Sequence, residues 1–149
     1  AFNQFKLDGK HGLKLGLADG AGAIYLPVVA RDHEWTRIEG NVAEVGITDH
    51  AQKELGDIVF IDLPNVEDEI DAGDEFGTIE SVKAVNSLFM PMSGKIIAVN
   101  TELNDSPELI NEECYDDGWI IRVELNNQDE SAELFSPKDY EEFILDEEA

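Results

Sequence analysis

Short apolar runs, each cut off by Gly, Pro, Asn or Asp, leave most of this chain little choice but β-structure. From about residue 31, NVAEVGIT (41–48), DIVFIDLP (57–64), EFGTIESV (75–82), GKIIAVN (94–100) and WIIRVEL (119–125) are rich in Val, Ile and Phe. Branched and aromatic side chains suit a pleated, half-buried surface, and turn residues at such close intervals stop helices from growing. Two or three of the runs are nearly continuous in apolar residues, which predicts strands buried between two sheet layers. GDIVFID at 56–62 and GDEFGTIE at 73–80 each put a Gly-Asp turn before a strand, a faint echo of a repeated hairpin in a small barrel or sandwich.

Helices are few. Thr48 is a capping residue in front of Asp49–Leu55, and Gly56 stands where a helix stops. Near the end, SPKDYEEFILDEE (136–148) opens with Ser136 as cap, Pro137 in the first turn and Asp139 three residues after the cap. Its Tyr140, Phe143 and Ile144 recur at helical spacing, a stripe expected to pack back on the sheet. A turn is expected around SAELF (131–135).

At 149 residues the chain is one domain with enough length for a real core, and 42% hydrophobic against 30% charged residues is a globular balance. The charge is lopsided at −24. A field of that sign repels nucleic acid and anionic membranes and favours protein partners with basic docking surfaces. One cysteine, Cys114, cannot form an internal disulfide framework and fits a reducing compartment. Glu112, Glu113, Asp116 and Asp117 around it disfavour a thiolate, which argues against a catalytic thiol. His11, His33 and His50 have no metal-ligand spacing. No apolar run approaches the roughly 18 residues of a membrane helix.

Residues 1–27 read differently. The opening is Gly-rich and acid-poor and does not start with Met; through residue 30 it holds three lysines against two aspartates, while the remainder holds 7 basic and 32 acidic residues. It is expected to be an extension, either what is left of a processed organelle-targeting segment or an expression scar, that frays from a domain spanning 28–149.

The segment GTIESVKAVNSLFMPMSG (77–94) contains a lone lysine, Lys83, in the bend between two strand-like runs. A lysine there is a solvated amine on a long flexible stem. On pattern alone it is either an ordinary solvating charge or a point of covalent attachment. The second reading draws on the small neighbours Ser81 and Ala84, which leave room for a modifying enzyme, and on Pro91 and Gly94, expected to stiffen the returning strand.

ESVKA (80–84) followed by Pro91-x-Ser93-Gly94 resembles the lipoylation hairpin of the glycine cleavage system H-protein family. HEW (33–35), VGITDHAQKELGDIVFIDLP (45–64), AGD (72–74), VNTELNDSPELIN (99–111) and DGW (117–119) resemble the same family in the same order. Together they cover roughly residues 28 to 145.

The resemblance implies a mainly β fold: a barrel–sandwich hybrid, or flattened β-barrel, with short helices including one at the C-terminus. It implies a non-catalytic, monomeric carrier with lipoate held covalently on Lys83, and Glu80, Ser81, Val82 and Ala84 as the hairpin that presents it. The arm would take an aminomethyl group from the pyridoxal-phosphate glycine decarboxylase and yield its methylene to tetrahydrofolate in an aminomethyltransferase. Dihydrolipoamide dehydrogenase would then reoxidise the dithiol. A lipoate ligase or a lipoyl or octanoyl transferase would install the arm. Glu34 is expected to hold the cationic end of the loaded arm, since a carboxylate pairs well with an ammonium where water is scarce. His50 is expected to touch the arm cleft or a partner, and His33 to be a structural hydrogen bonder.

One position departs from the family: four residues beyond the lysine an aspartate is common, and here it is Ser87, which brings no charge. The run VNSLFM (85–90) is also more apolar than the family suggests, as if to cover the arm or to face a changed partner. A biotin carrier would flank its lysine with methionines, where this chain has Val82 and Ala84. An H-like lipoyl relay, donating lipoate to other dehydrogenase complexes or acting in redox regulation, and a non-lipoylated interaction module remain as alternatives. The resemblance and the extension together lean to a mitochondrial matrix, with a bacterial cytoplasm as the alternative.

Overall fold

The computed structural model describes residues 28–148; the expected extension, 1–27, lies outside them. Nine strands run as β1 (Val28–Val29), β2 (Glu34–Glu39), β3 (Val42–Ile47), β4 (Ile58–Asp62), β5 (Glu69–Ile70), β6 (Glu75–Ser81), β7 (Val85–Phe89), β8 (Gly94–Val99) and β9 (Ile121–Leu125). Helices α1 (Asp49–Leu55), α2 (Glu102–Asp105), α3 (Leu109–Glu112) and α4 (Pro137–Glu148) and a 3₁₀ turn (Gln128–Glu133) fill the connections. The described strands form two open sheets, in the orders β1-β2-β3-β9-β8-β5 and β4-β6-β7, every pairing antiparallel.

The two sheets enclose the main core. Val45 and Ile47 of β3, Ile61 of β4, Ile79 of β6, Ile96 of β8 and Val123 of β9 are all 3% exposed or less, and α2 and α3 add Leu103 and Ile110. A second apolar cluster gathers Val29, Trp35, Cys114, Tyr115 and Tyr140, with Phe143 and Ile144 of α4 packed against it. That is the face expected of the C-terminal stripe. Ser136 Oγ accepts the N–H of Asp139 at 3.1 Å, the capping bond anticipated from its sequence. Burial pushes the Cys114 thiol far up, its acidic neighbours Asp49, Asp116 and Glu113 adding to the effect.

The GD echo takes a direct form: β4 and β6 are neighbours, Ile61 opposite Ile79. Five of the strands follow the expected runs closely. β2 and the short β1 and β5 were not anticipated: β1 and β5 are two residues each, and polar and charged residues break the pattern of β2, where Glu34, Thr36 and Arg37 are all buried. Arg37 is neutralised by its cross-strand partner Glu44, which also takes Arg122 at 3.0 Å, and its guanidinium stacks 4.6 Å from the Trp35 ring centroid. Gly94 opens β8 rather than stiffening the strand before it. A Cβ at that position would meet Glu124 O at 2.4 Å, so it is glycine because β8 and β9 approach closely there.

Candidate functional site

β6 and β7 form a hairpin whose tip is Ser81-Val82-Lys83-Ala84. Ser81 N–H donates to Ala84 O at 2.8 Å, closing the turn. Ser81 Oγ accepts the N–H groups of Lys83 at 3.1 Å and Ala84 at 3.2 Å, so one buried hydroxyl satisfies two turn donors that would otherwise face outward. Val82 N–H donates to Asp57 O at 3.0 Å and pins the tip to the start of β4. The turn is therefore fixed on both sides while the Lys83 side chain is exposed.

The lysine stem lies over Gly56, the residue that ends α1. Gly56 has φ +81° and ψ −156°, a region essentially reserved for glycine. A Cβ there would come within 3.2 Å of Lys83 Cε. Lys83 Nζ donates to Glu54 O at 3.3 Å, capping one of the last carbonyls of α1. Below, Asn111 of α3 ties the floor together: its Nδ2 donates to Gln52 Oε1 and Gly56 O, both at 2.9 Å, and its Oδ1 accepts Ile58 N–H at 2.9 Å. A single exposed carbonyl bond on a rigid floor leaves the amine open to acylation, so the residues present fit a lipoyl group on Nζ.

At the far end of β7 the environment is the opposite. Glu34 of β2 is 1% exposed, and its Oε2 accepts the N–H of Phe89 at 3.2 Å. Its Oε1 is buried with no hydrogen-bond partner. Desolvation, with a smaller push from Asp32, raises its pKa from 4.5 to about 8, so the carboxyl is mostly protonated at neutral pH. Expected as a carboxylate, Glu34 is instead predominantly a neutral acid at neutral pH. Thr36, two residues along the same face of β2, has a second buried, unpartnered oxygen.

The remaining candidates are more dispersed. Glu80, Val82 and Ala84 are exposed at the hairpin. Ser87 is exposed on β7 opposite Thr78, in the row that continues to Asp62, and so stands on the outer face of the small sheet. His50 of α1 bonds Glu54 Oε1 through Nε2 at 2.9 Å, and its ring lies 5.1 Å from that of His33. His33 takes a structural role as expected: Nδ1 is 2.7 Å from Tyr140 Oη, which is itself 2.7 Å from the Thr48 hydroxyl that caps α1. The run VNSLFM is β7 itself, with Leu88 turned into the core and Val85 to Ser87 exposed.

Sequence reasoning read Gly56 only as a helix stop and gave no role to Asn111 or to the Phe89 backbone. Gly56 lies 27 residues from Lys83 in the sequence and the brace from Asn111 spans more than 50, so neither contact had a local signal.

A family model described as Glycine cleavage H-protein matches residues 28–147. This chain belongs to the glycine cleavage H-protein family. A glycine cleavage system H protein of Carboxydothermus hydrogenoformans is 56% identical over 118 residues, which is 79% of this chain and 91% of that protein. One from Rubrobacter xylanophilus is 54% identical over 121 residues, covering 81% and 94%. The crystal structure of a glycine cleavage system H protein from Mycobacterium marinum superposes with a TM-score of 0.72 at 34% identity, over 79% of this chain and 95% of that one. The fold is thus the barrel–sandwich architecture of the H-protein family, with its sheets open. The three source organisms are bacteria, and the expectation of a mitochondrial matrix finds no support in them. No helix among the described residues is long and apolar enough to cross a membrane.

Proposed function

We propose that Lys83 carries lipoate through an amide on Nζ and that the chain is the non-catalytic carrier of a glycine cleavage system. The observation that carries this reading is an exposed amine on a turn locked by Ser81, with space for its stem above Gly56. When bound, lipoate supplies a reducible disulfide able to take up a one-carbon amine unit with two electrons.

The chain's own residues do the rest. Ser81 and the Val82–Asp57 bond hold the tip, so the attached arm starts from a fixed point. The stem leaves the Glu54 carbonyl at small cost, because an exposed hydrogen bond exchanges readily for water. Glu34 receives the cationic end: a cation beside Oε1 favours the ionised carboxyl, and the proton departs to solvent. Ser87 offers an uncharged hydroxyl, and His50, bonded to Glu54, borders the lysine's floor. The partners are the glycine decarboxylase, the aminomethyltransferase, dihydrolipoamide dehydrogenase and the enzyme that attaches the arm. The compartment, following the bacterial relatives, is a bacterial cytoplasm.

The intact mass of the chain from its native source tests attachment, with a lipoyl adduct mapped to Lys83 as the expected result. Exchange of bicarbonate into the glycine carboxyl, catalysed by glycine decarboxylase with the modified chain, tests the carrier role. An unmodified lysine, or modified chain that supports no exchange, overturns the reading.

A further inference from the structure

The outer face of β4-β6-β7 carries an apolar surface that the core does not explain. Four large hydrophobic residues stand there largely exposed: Val59 at 49%, Phe60 at 54%, Val82 at 66% and Val85 at 62%. Strand alternation should turn one of any two consecutive residues inward. Instead, the β4–β6 register shifts between Ile58 and Phe60, and this bulge leaves both Val59 and Phe60 facing water. Phe60 pairs with Glu80, and Glu80 with Val85, so the three share one row about 10 Å across. Exposed carboxylates of Asp57, Asp62 and Glu80 surround the apolar residues. Lys83 stands at the end of this face.

We propose that this row is the docking surface for the enzyme that acylates Lys83, and that the enzyme meets it with an apolar socket for Phe60 rimmed by Lys or Arg. The proposal rests on the carrier reading above. The occupant follows from reach. Enzymes that use the finished arm can dock at a distance, because the arm spans the gap. The acylating enzyme meets only the bare lysine, so it must press its own active site onto the hairpin tip, and a protein footprint of about 800 Å² per partner necessarily covers the adjoining row. In the step itself the deprotonated amine attacks the carbonyl carbon of an activated acyl donor, a mixed anhydride or a thioester. The N–C bond forms, the C–O or C–S bond breaks with its electron pair leaving on the donor, and the amide nitrogen sheds a second proton.

The test uses the full unmodified chain with a purified lipoate ligase, lipoic acid and ATP, read as mass gain against time over a range of chain concentrations. Phe60→Ser is expected to raise KM for the chain at least tenfold with kcat within about threefold, a loss near 1.4 kcal/mol in binding. Val85→Thr, nearly the same shape, guards against misfolding and should raise KM about threefold. Glu80→Gln should weaken the fall of the rate with added salt. Leu145→Gln, an exposed apolar position on α4, should change nothing. Phe60→Ser and Val85→Thr chains modified as efficiently as wild type at limiting concentration would overturn the docking surface and leave the carrier reading standing. A wild-type chain that gains no mass, beside a control lipoyl domain that does, would overturn both.

Discussion

The two ends of β7 treat charge in opposite ways. At one end the Lys83 amine is exposed, held by one carbonyl, and surrounded by a turn whose every N–H has a partner. At the other, Glu34 is sealed from water with a single backbone bond and an oxygen that bonds to nothing. Solvation explains the contrast. The amine is kept in water, where its contact with a carbonyl is cheap to break. The acid is kept out of water, where desolvation favours its neutral form. One strand thus joins an amine whose contact costs little to break and an acid that costs much to ionise.

The sharpest way to break this comparison is at the exposed end. Lys83→Arg keeps a cation over α1 but removes the primary amine, so the lipoate ligase assay should show no mass gain while the thermal midpoint stays within a few degrees of wild type. Any lipoyl adduct on that variant would refute the assignment.

At the buried end, Glu34→Gln should separate the two chains by pH. Below pH 4.5 the carboxyl is protonated whether the chain is folded or not; between 4.5 and about 8 only the unfolded chain ionises it. The stability associated with the neutral buried acid is therefore complete at low pH and lost as pH rises toward 8, at about 1.4 kcal/mol per unit. Chemical denaturation should find wild type and variant closest below pH 4.5, with wild type behind by about 4 kcal/mol at pH 8. Parallel profiles would mean Glu34 titrates normally.

Two smaller substitutions sharpen the exposed end. Gly56→Ala forces a side chain into backbone space that disfavours it and against the lysine stem, and should cost about 2 kcal/mol of unfolding free energy. Ser81→Ala leaves two turn N–H groups without their acceptor and should cost about 1 kcal/mol, visible in the same denaturation measurement. If Gly56→Ala proves the milder of the two, the floor is less constrained than its dihedral angles indicate.

The exposed end was legible in the sequence and the buried end was not. Strands with β-branched runs, the Thr48 and Ser136 caps and the Lys83 bend all announce themselves within a few residues, because alternation, capping and turn chemistry are local. Glu34 sits in a strand whose buried Thr36 and Arg37 look like surface residues, and only the pairing of β2 with β3 and the approach of β7 make them interior. Glu34 could be singled out by resemblance, but its neutrality depends on what surrounds it in space. The exposed pair Val59–Phe60 escaped for a related reason: an apolar run reads as core, and only the bulge in register turns both outward.

The clamp formed by Asn111 has a consequence for motion. By fastening α1, Gly56 and Ile58 to α3 it gives the lysine a stationary pivot, so the freedom of whatever hangs from Nζ comes from rotations about its own single bonds. A lipoyl arm attached there, as proposed above, would sweep a shell about one centre, and the local concentration it offers would follow from the length of the tether.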